Sequence, residues 1–195
     1  DTSNPYAAYS CTHGNGPNHG NSTISARHNK IKMALARILT KFGAAVQVEQ
    51  RGQSSDSAMR PDIILWINDL RVTLDVTVVN QLTVAAASGS KASPPLSTPF
   101  IHPLSSLQHA AAAKTAKYKA LCSENGTVFV PFVVGIDGTI HDAALDFIHT
   151  FAAIVFRPEY DTSFTYSEIL AAVQDALADG NALVVAEHAK LLHSV

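Results

Sequence analysis

The feature that most restricts how this chain can fold is a pair of apolar, β-branched runs, residues 62–67 and 71–79, separated by Asn68-Asp69. A two-residue polar interruption between such runs reads as an antiparallel hairpin. Pairing about that turn puts Ile67 opposite Leu70 and Leu65 opposite Val72. Continued outward, the same register puts Asp62 opposite Asp75. Directly opposed side chains have Cβ atoms about 4.5–5.5 Å apart, and like charges there destabilise a sheet unless something compensates.

The rest of the chain supplies partners for this hairpin. Apolar residues Ile31, Leu35, Ile38, Leu39 and Phe42 recur at helical spacing over 27–42, with Ser25 as N-cap and Gly43 as stop. Residues 45–49 alternate as a short strand. A second basic helix is expected over about 104–124, ending at Asn125-Gly126, and then an apolar strand over 127–135. Pro131 inside that strand pushes it toward a sheet edge. After Gly138 three helical pieces are expected, at about 139–156, 165–179 and 181–193. Residues 1–26 are rich in Asn, Ser, Gly, His and Thr and read as irregular, and about 83–103 as a Ser/Pro/Ala-rich insertion loop. The expected class is therefore α/β: a mixed sheet flanked by helices, in the order αβββαβ with extra C-terminal helices, as one domain over 27–195.

At 195 residues with 47% hydrophobic composition the chain can bury one sizeable core. No apolar stretch approaches the roughly 20 residues of a bilayer span, so no membrane partner is expected. Cys11 and Cys122 form no disulfide framework, which suits a reducing nuclear or cytoplasmic setting rather than secretion. The start at Asp1, without methionine or a signal pattern, reads as a piece of a longer protein. The net charge of −2 hides an asymmetry: residues 1–119 hold 12 Lys/Arg against 6 Asp/Glu, and residues 120–195 hold 2 against 10. That distribution suggests one face for a phosphate backbone and one turned away. Ordinary surface variation is the alternative.

Acids embedded in apolar strands are expensive without a partner. A divalent cation is one such partner, because carboxylate oxygens suit Mg²⁺ or Mn²⁺, and Mg²⁺ is typically held by one or two carboxylates with water and phosphate. Glu49 on the preceding strand is a candidate third ligand. The competing reading is structural, with Asp62 opening a strand after Pro61 and Asp75 pairing with Arg60 or Arg71. Cys11, His13 and His19 raise zinc, but they lack the paired spacing of a structural site.

Arg27-His28-Asn29, then Arg60-Pro61-Asp62, then Asp75 through Val79, then the Ala110–Lys114–Lys117–Tyr118 stretch and Phe129-Val130-Pro131-Phe132 resemble the restriction-like endonuclease domain of site-specific non-LTR retrotransposons. The resemblance covers roughly residues 9–192. It implies the PD-(D/E)xK fold and Mg²⁺- or Mn²⁺-dependent nicking of double-stranded DNA, which primes reverse transcription by a polymerase domain on the same polypeptide using retroelement RNA. It implies Asp62 and Asp75 as metal ligands, with Glu49 completing the shell. The superfamily's lysine, two residues after the second acid, is here Thr77. In this branch the lysine sits on the following helix, which implies Lys114, with Lys117 as the alternative and a solvated helix face as the simpler reading of both. His28 is a further candidate near phosphate or metal, and Arg27, Lys30, Lys117 and Tyr118 are candidate DNA contacts. A catalytically dead fold kept for DNA binding or assembly is the competing function. Nothing in the sequence decides between a monomer and a homodimer. Replacing either aspartate is expected to cost little stability, since it relieves opposed charges.

Overall fold

The computed structural model describes residues 19–48, 61–80, 103–155 and 161–193. The elements run α1 (His19–Lys41), β1 (Ala45–Val48), β2 (Ile63–Ile67), β3 (Leu70–Val79), α2 (Pro103–Glu124), β4 (Val128–Gly135), α3 (Asp142–Ile154) and α4 (Thr162–His193). The four strands form one mixed sheet in the order β1-β2-β3-β4, with β1, β2 and β3 antiparallel and β4 parallel to β3. The parallel pair needs a crossover, and α2 supplies it.

The hairpin has the register read from the sequence, with Ile67 opposite Leu70, Leu65 opposite Val72 and Ile63 opposite Leu74. Asn68 turns it at φ 50°, a left-handed conformation that Asn tolerates better than most residues. β4 is an edge strand, the position where Pro131 leaves no central ladder bond unmade. Both helices that precede strands end on a glycine of positive φ, Gly43 at 96° and Gly126 at 60°. At each, the next amide reaches back five residues, Ala44 N–H to Leu39 C=O and Thr127 N–H to Cys122 C=O, and closes the last turn.

Alternation along β3 divides the molecule into layers. Val72, Leu74 and Val76 face a core built with Ile31, Leu35 and Leu39 of α1, Phe147 and Ile148 of α3, and Ile169 and Val173 of α4. On the opposite face α2 lies over β3 and β4 through Leu107 and Ala111 against Val133 and Val79. Arg71, Thr73 and Asp75 belong to that second face.

Two boundaries differ from expectation. α1 begins at His19, inside the stretch expected to be irregular, so Ser25 is an interior residue and not its cap. Once a helix is nucleated by its apolar stripe, each added residue gains a hydrogen bond, and a first segment rich in weak formers (His19, Gly20, Asn21, Ser22, Thr23, Ser25) is carried along. The helices after Gly138 are two, because α4 runs unbroken through Gly180. A Cβ on Gly180 would lie 2.6 Å from Arg27 Cγ and 3.0 Å from Arg27 Cα, so this glycine lets α4 and α1 touch and does not end a helix. We predict that Gly180→Ala destabilises the domain, since overpacking costs about 1–3 kcal/mol against the roughly 1 kcal/mol that Ala gains in a helix. A denaturant midpoint at or above that of the parent protein would refute the close approach.

The α1–α4 contact also absorbs much of the charge asymmetry. Lys30 Nζ lies 3.1 Å from Asp179 and Lys41 Nζ 2.8 Å from Glu168, while Arg27, 4% exposed, donates to Asn181 Oδ1 at 3.1 Å. The basic face of α1, which has no acid of its own, is thus largely turned to α4 and not left open for phosphate. Joined into one helix, Thr162–Lys190 is long and apolar enough by composition to cross a bilayer, unlike its two expected pieces. Its burial of Ile169, Val173 and Leu177 and its ion pairs to α1 are those of a helix packed on a protein core.

The insertion expected at about 83–103 lies outside the described residues, apart from Pro103, which opens α2.

Candidate functional site

Asp75 projects from β3 toward α2 and is 3% exposed. Lys114 Nζ on α2 donates to its Oδ2 at 2.7 Å, and Thr77 Oγ1 lies 3.4 Å from the same oxygen. The neighbour expected to neutralise Asp75 was Arg60 or Arg71. Arg60 lies outside the described residues, and Arg71 instead stacks on Trp66. Lys117, one turn beyond Lys114, is exposed with its ammonium 4.9 Å from the Tyr118 ring centroid. Tyr118 is 1% exposed and stacks on Phe129, so its ring belongs to the packing between α2 and β4 and offers no open face to DNA.

Asp62 sits one residue before β2, where the ladder has ended at Ile63 and Leu74. Its carboxylate turns to α1 and to the β3 backbone: Oδ2 accepts from Val76 N–H at 2.8 Å and lies 3.0 Å from His28 Nε2. Lys32 Nζ, from a lysine only 7% exposed, is 3.6 Å from Oδ1. His28 Nε2 is also 3.0 Å from Val76 C=O. With acceptors on both sides that nitrogen carries a proton. Asp62, His28 and Val76 therefore form a closed triangle that fastens α1 to β3.

The acids of the sequence reading are thus compensated by two lysines, Lys32 at Asp62 and Lys114 at Asp75, with His28 hydrogen-bonded to Asp62. The sequence pointed to Lys114 and did not single out Lys32. A usable signal was its spacing: Lys32 is four residues after His28, so the two share a helix face.

Both carboxylates line one cleft of about 420 Å³, with His28, Lys114, Lys117 and Tyr118. Ile24 and Ser25, from the unexpected first turns of α1, complete its wall. The cleft thus joins six of the residues singled out by sequence. Arg27 and Lys30 lie instead at the α4 contact. Glu49, Cys11, His13 and the side chain of His19 lie outside the described residues. A second hollow of about 310 Å³, between α3 and the hairpin end, is lined by apolar residues with Asp146 and Thr150 and gathers no comparable chemistry.

No protein-family model matches the chain, and no curated protein matches it. The cleft must be read from its own chemistry. Among the described residues no group of three His, Cys, Asp or Glu comes together to hold a metal ion. Two carboxylates in one cleft still fit a Mg²⁺-type ion, which takes hard oxygens and fills its remaining positions with water and substrate phosphate. Among the described residues no hydrogen bond or ion pair engages Asp75 Oδ1, and Lys32, at 3.6 Å, is the one cation at Asp62 Oδ1.

The triangle sets a pH dependence. Burial opposes ionisation of Asp62, but the hydrogen bond and charge of His28, the Val76 amide and Lys32 outweigh it and hold the carboxyl below its usual range. The hydrogen bond to Asp62 raises His28 above 6.5 despite burial. The stabilisation from Asp62 is complete above its unfolded value and is lost as pH falls through the depressed folded one. That from His28 is complete below its unfolded value and is lost as pH rises through the raised folded one. Unfolding free energy is therefore expected to peak between about pH 4 and 6.5. Urea titrations across pH should show His28→Gln losing the alkaline decline, and an unchanged decline would remove His28 from the linkage.

Proposed function

We propose that this chain is a metal-dependent DNA endonuclease domain of the restriction-endonuclease-like, PD-(D/E)xK, type, which nicks a double-stranded target for reverse transcription of a retroelement. The observation that carries the reading is the Asp75–Lys114 pair at 2.7 Å, in the same cleft as Asp62. The resemblance had implied a lysine on the helix after the second acid, and a buried carboxylate on β3 meets a lysine of α2. The element order helix, three strands, helix, strand supports the same fold type.

On this reading Asp62 and Asp75 hold Mg²⁺ or Mn²⁺, with Glu49 as the further ligand. Such an ion would supply Lewis-acid polarisation of the scissile phosphate and a water activated at neutral pH. The chain supplies the rest. Lys114, with a third of its side chain exposed, can leave Asp75 for a phosphate oxygen and stabilise the charge that develops there. Lys117 holds the adjacent backbone. His28 keeps Asp62 oriented and adds positive charge at the cleft wall. The partners are double-stranded DNA and, on the same polypeptide, a reverse transcriptase domain with its RNA, in the nucleus.

A DNA-binding module without catalysis is the second reading, favoured by the protein cation already seated on each acid. Supercoiled plasmid with Mg²⁺ or Mn²⁺ separates the two: nicking by the purified domain supports the enzyme, and binding without nicking supports the module. Lys114→Ala is expected to lower the nicking rate about 10²–10³-fold, as for loss of one transition-state donor. Lys117→Ala should act mainly on DNA affinity and its salt dependence. Equal, mild losses in both would reduce Lys114 to a backbone contact.

A further inference from the structure

The sheet face that carries Asp75 continues beyond the cover of α2. Along β3 it presents Asp75, Thr73 and Arg71, and along β2 Ile64 and Trp66 lie beside them in register. α2 lies over β3 and β4, and near its end Cys122 hydrogen-bonds Thr73. Past that point Trp66 is 37% exposed, with the exposed Ala45 paired to it on β1. The Arg71 guanidinium lies over the indole, 5.6 Å from its centroid. Among the described residues no carboxylate pairs with Arg71, and its Nε is buried without a hydrogen-bond partner. Stacking holds its positive charge in place, and among the described residues no acid neutralises it. A partly exposed indole beside a guanidinium with no acid partner among the described residues offers ring surface and a phosphate contact together.

We propose that Trp66 and Arg71 form a stacking platform for an unpaired stretch of nucleic acid, Trp66 taking a base and Arg71 the adjoining phosphate. The inference rests on the nuclease reading of the cleft and narrows its substrate to DNA that is locally unpaired beside the cut. Arg71 and Asp75 are four residues apart on one strand, or about 13 Å at about 3.3 Å per residue. A stacked strand covers that in roughly four nucleotides at 3.4 Å each. One DNA strand can therefore span both places. Base–aromatic stacking tolerates any sequence, which suits a contact placed by geometry and not by readout.

Trp66 is the sole tryptophan of the chain, so intrinsic emission reports this patch alone. The experiment titrates the whole protein, in EDTA to prevent cleavage, with an oligothymidylate of about 12 nucleotides and separately with a duplex of equal length. Anisotropy of labelled DNA reports total binding. The platform predicts that the single strand quenches Trp66 with the same midpoint as anisotropy and that the duplex quenches it less. It also predicts that Arg71→Ala weakens single-strand binding about tenfold. Binding by anisotropy with no change in Trp66 emission would overturn the proposal, as would equal quenching by both probes. The wild-type titration needs no variant to fold. Plasmid nicking with a silent Trp66 would sink the platform alone, whereas quenching without nicking would leave the platform and remove the nuclease reading on which its role depends.

Discussion

On the nuclease reading, Asp75→Asn is expected to abolish metal-dependent nicking, lowering the rate about 10²–10³-fold or more while leaving the domain folded. The size follows from the several kcal/mol that metal polarisation supplies to a phosphoryl transition state, at about 1.4 kcal/mol per tenfold. The intact fold follows from where its partner can go. Lys114 has 32% of its side chain exposed, so on losing the carboxylate its ammonium can move into water. The amide can still accept from Lys114 and Thr77, and the cost stays near that of a partly exposed ion pair, about 1 kcal/mol. Nicking rates on supercoiled plasmid and a urea midpoint on the same preparation test both halves. A variant that nicks at the parental rate removes Asp75 from the site. One that fails to fold makes Asp75 a structural residue first.

Asp62→Ala should behave oppositely, with a loss of stability of about 3–5 kcal/mol, comparable to the whole stability of many domains. The sequence reading expected little cost, because only the opposed aspartate was in view. The structure surrounds Asp62 with the Val76 amide, His28 and Lys32, and Lys32 has 8% of its side chain exposed. Removing the carboxylate strands a buried ammonium and an unsatisfied amide, which is the expensive way to break such a pair. Asp62→Asn, which keeps an acceptor for Val76, should retain part of the loss. If Asp62→Ala unfolds at the parental urea concentration, Lys32 has another way to reach water and the triangle is not a fastening.

The hairpin was legible because its information is local: two apolar runs and a two-residue turn fix a register in which every pair is determined. Pro131 announced an edge for the same reason. The charges were less legible because their partners lie far away in sequence. Lys30 and Lys41 have no acid on their own helix, and their partners Asp179 and Glu168 lie 149 and 127 residues on. Gly180 read as a helix break because glycine is a poor helix former, and only the neighbouring helix reveals that its missing Cβ is the point. At the site, the acid–lysine pair was reached through resemblance. Lys32 was not, since its spacing from His28 shows a shared helix face but not that the face is buried.

Arg27, pressed against Gly180, is followed directly by His28, which lines the cleft. The groove between α1 and α4 thus adjoins the cleft through two consecutive residues, and a change in how deeply the helices seat is expected to shift the imidazole relative to Asp62. Among the described residues none of α4 lines the cleft, so on the nuclease reading a substitution along α4 that alters nicking would act through this seating and not by contact.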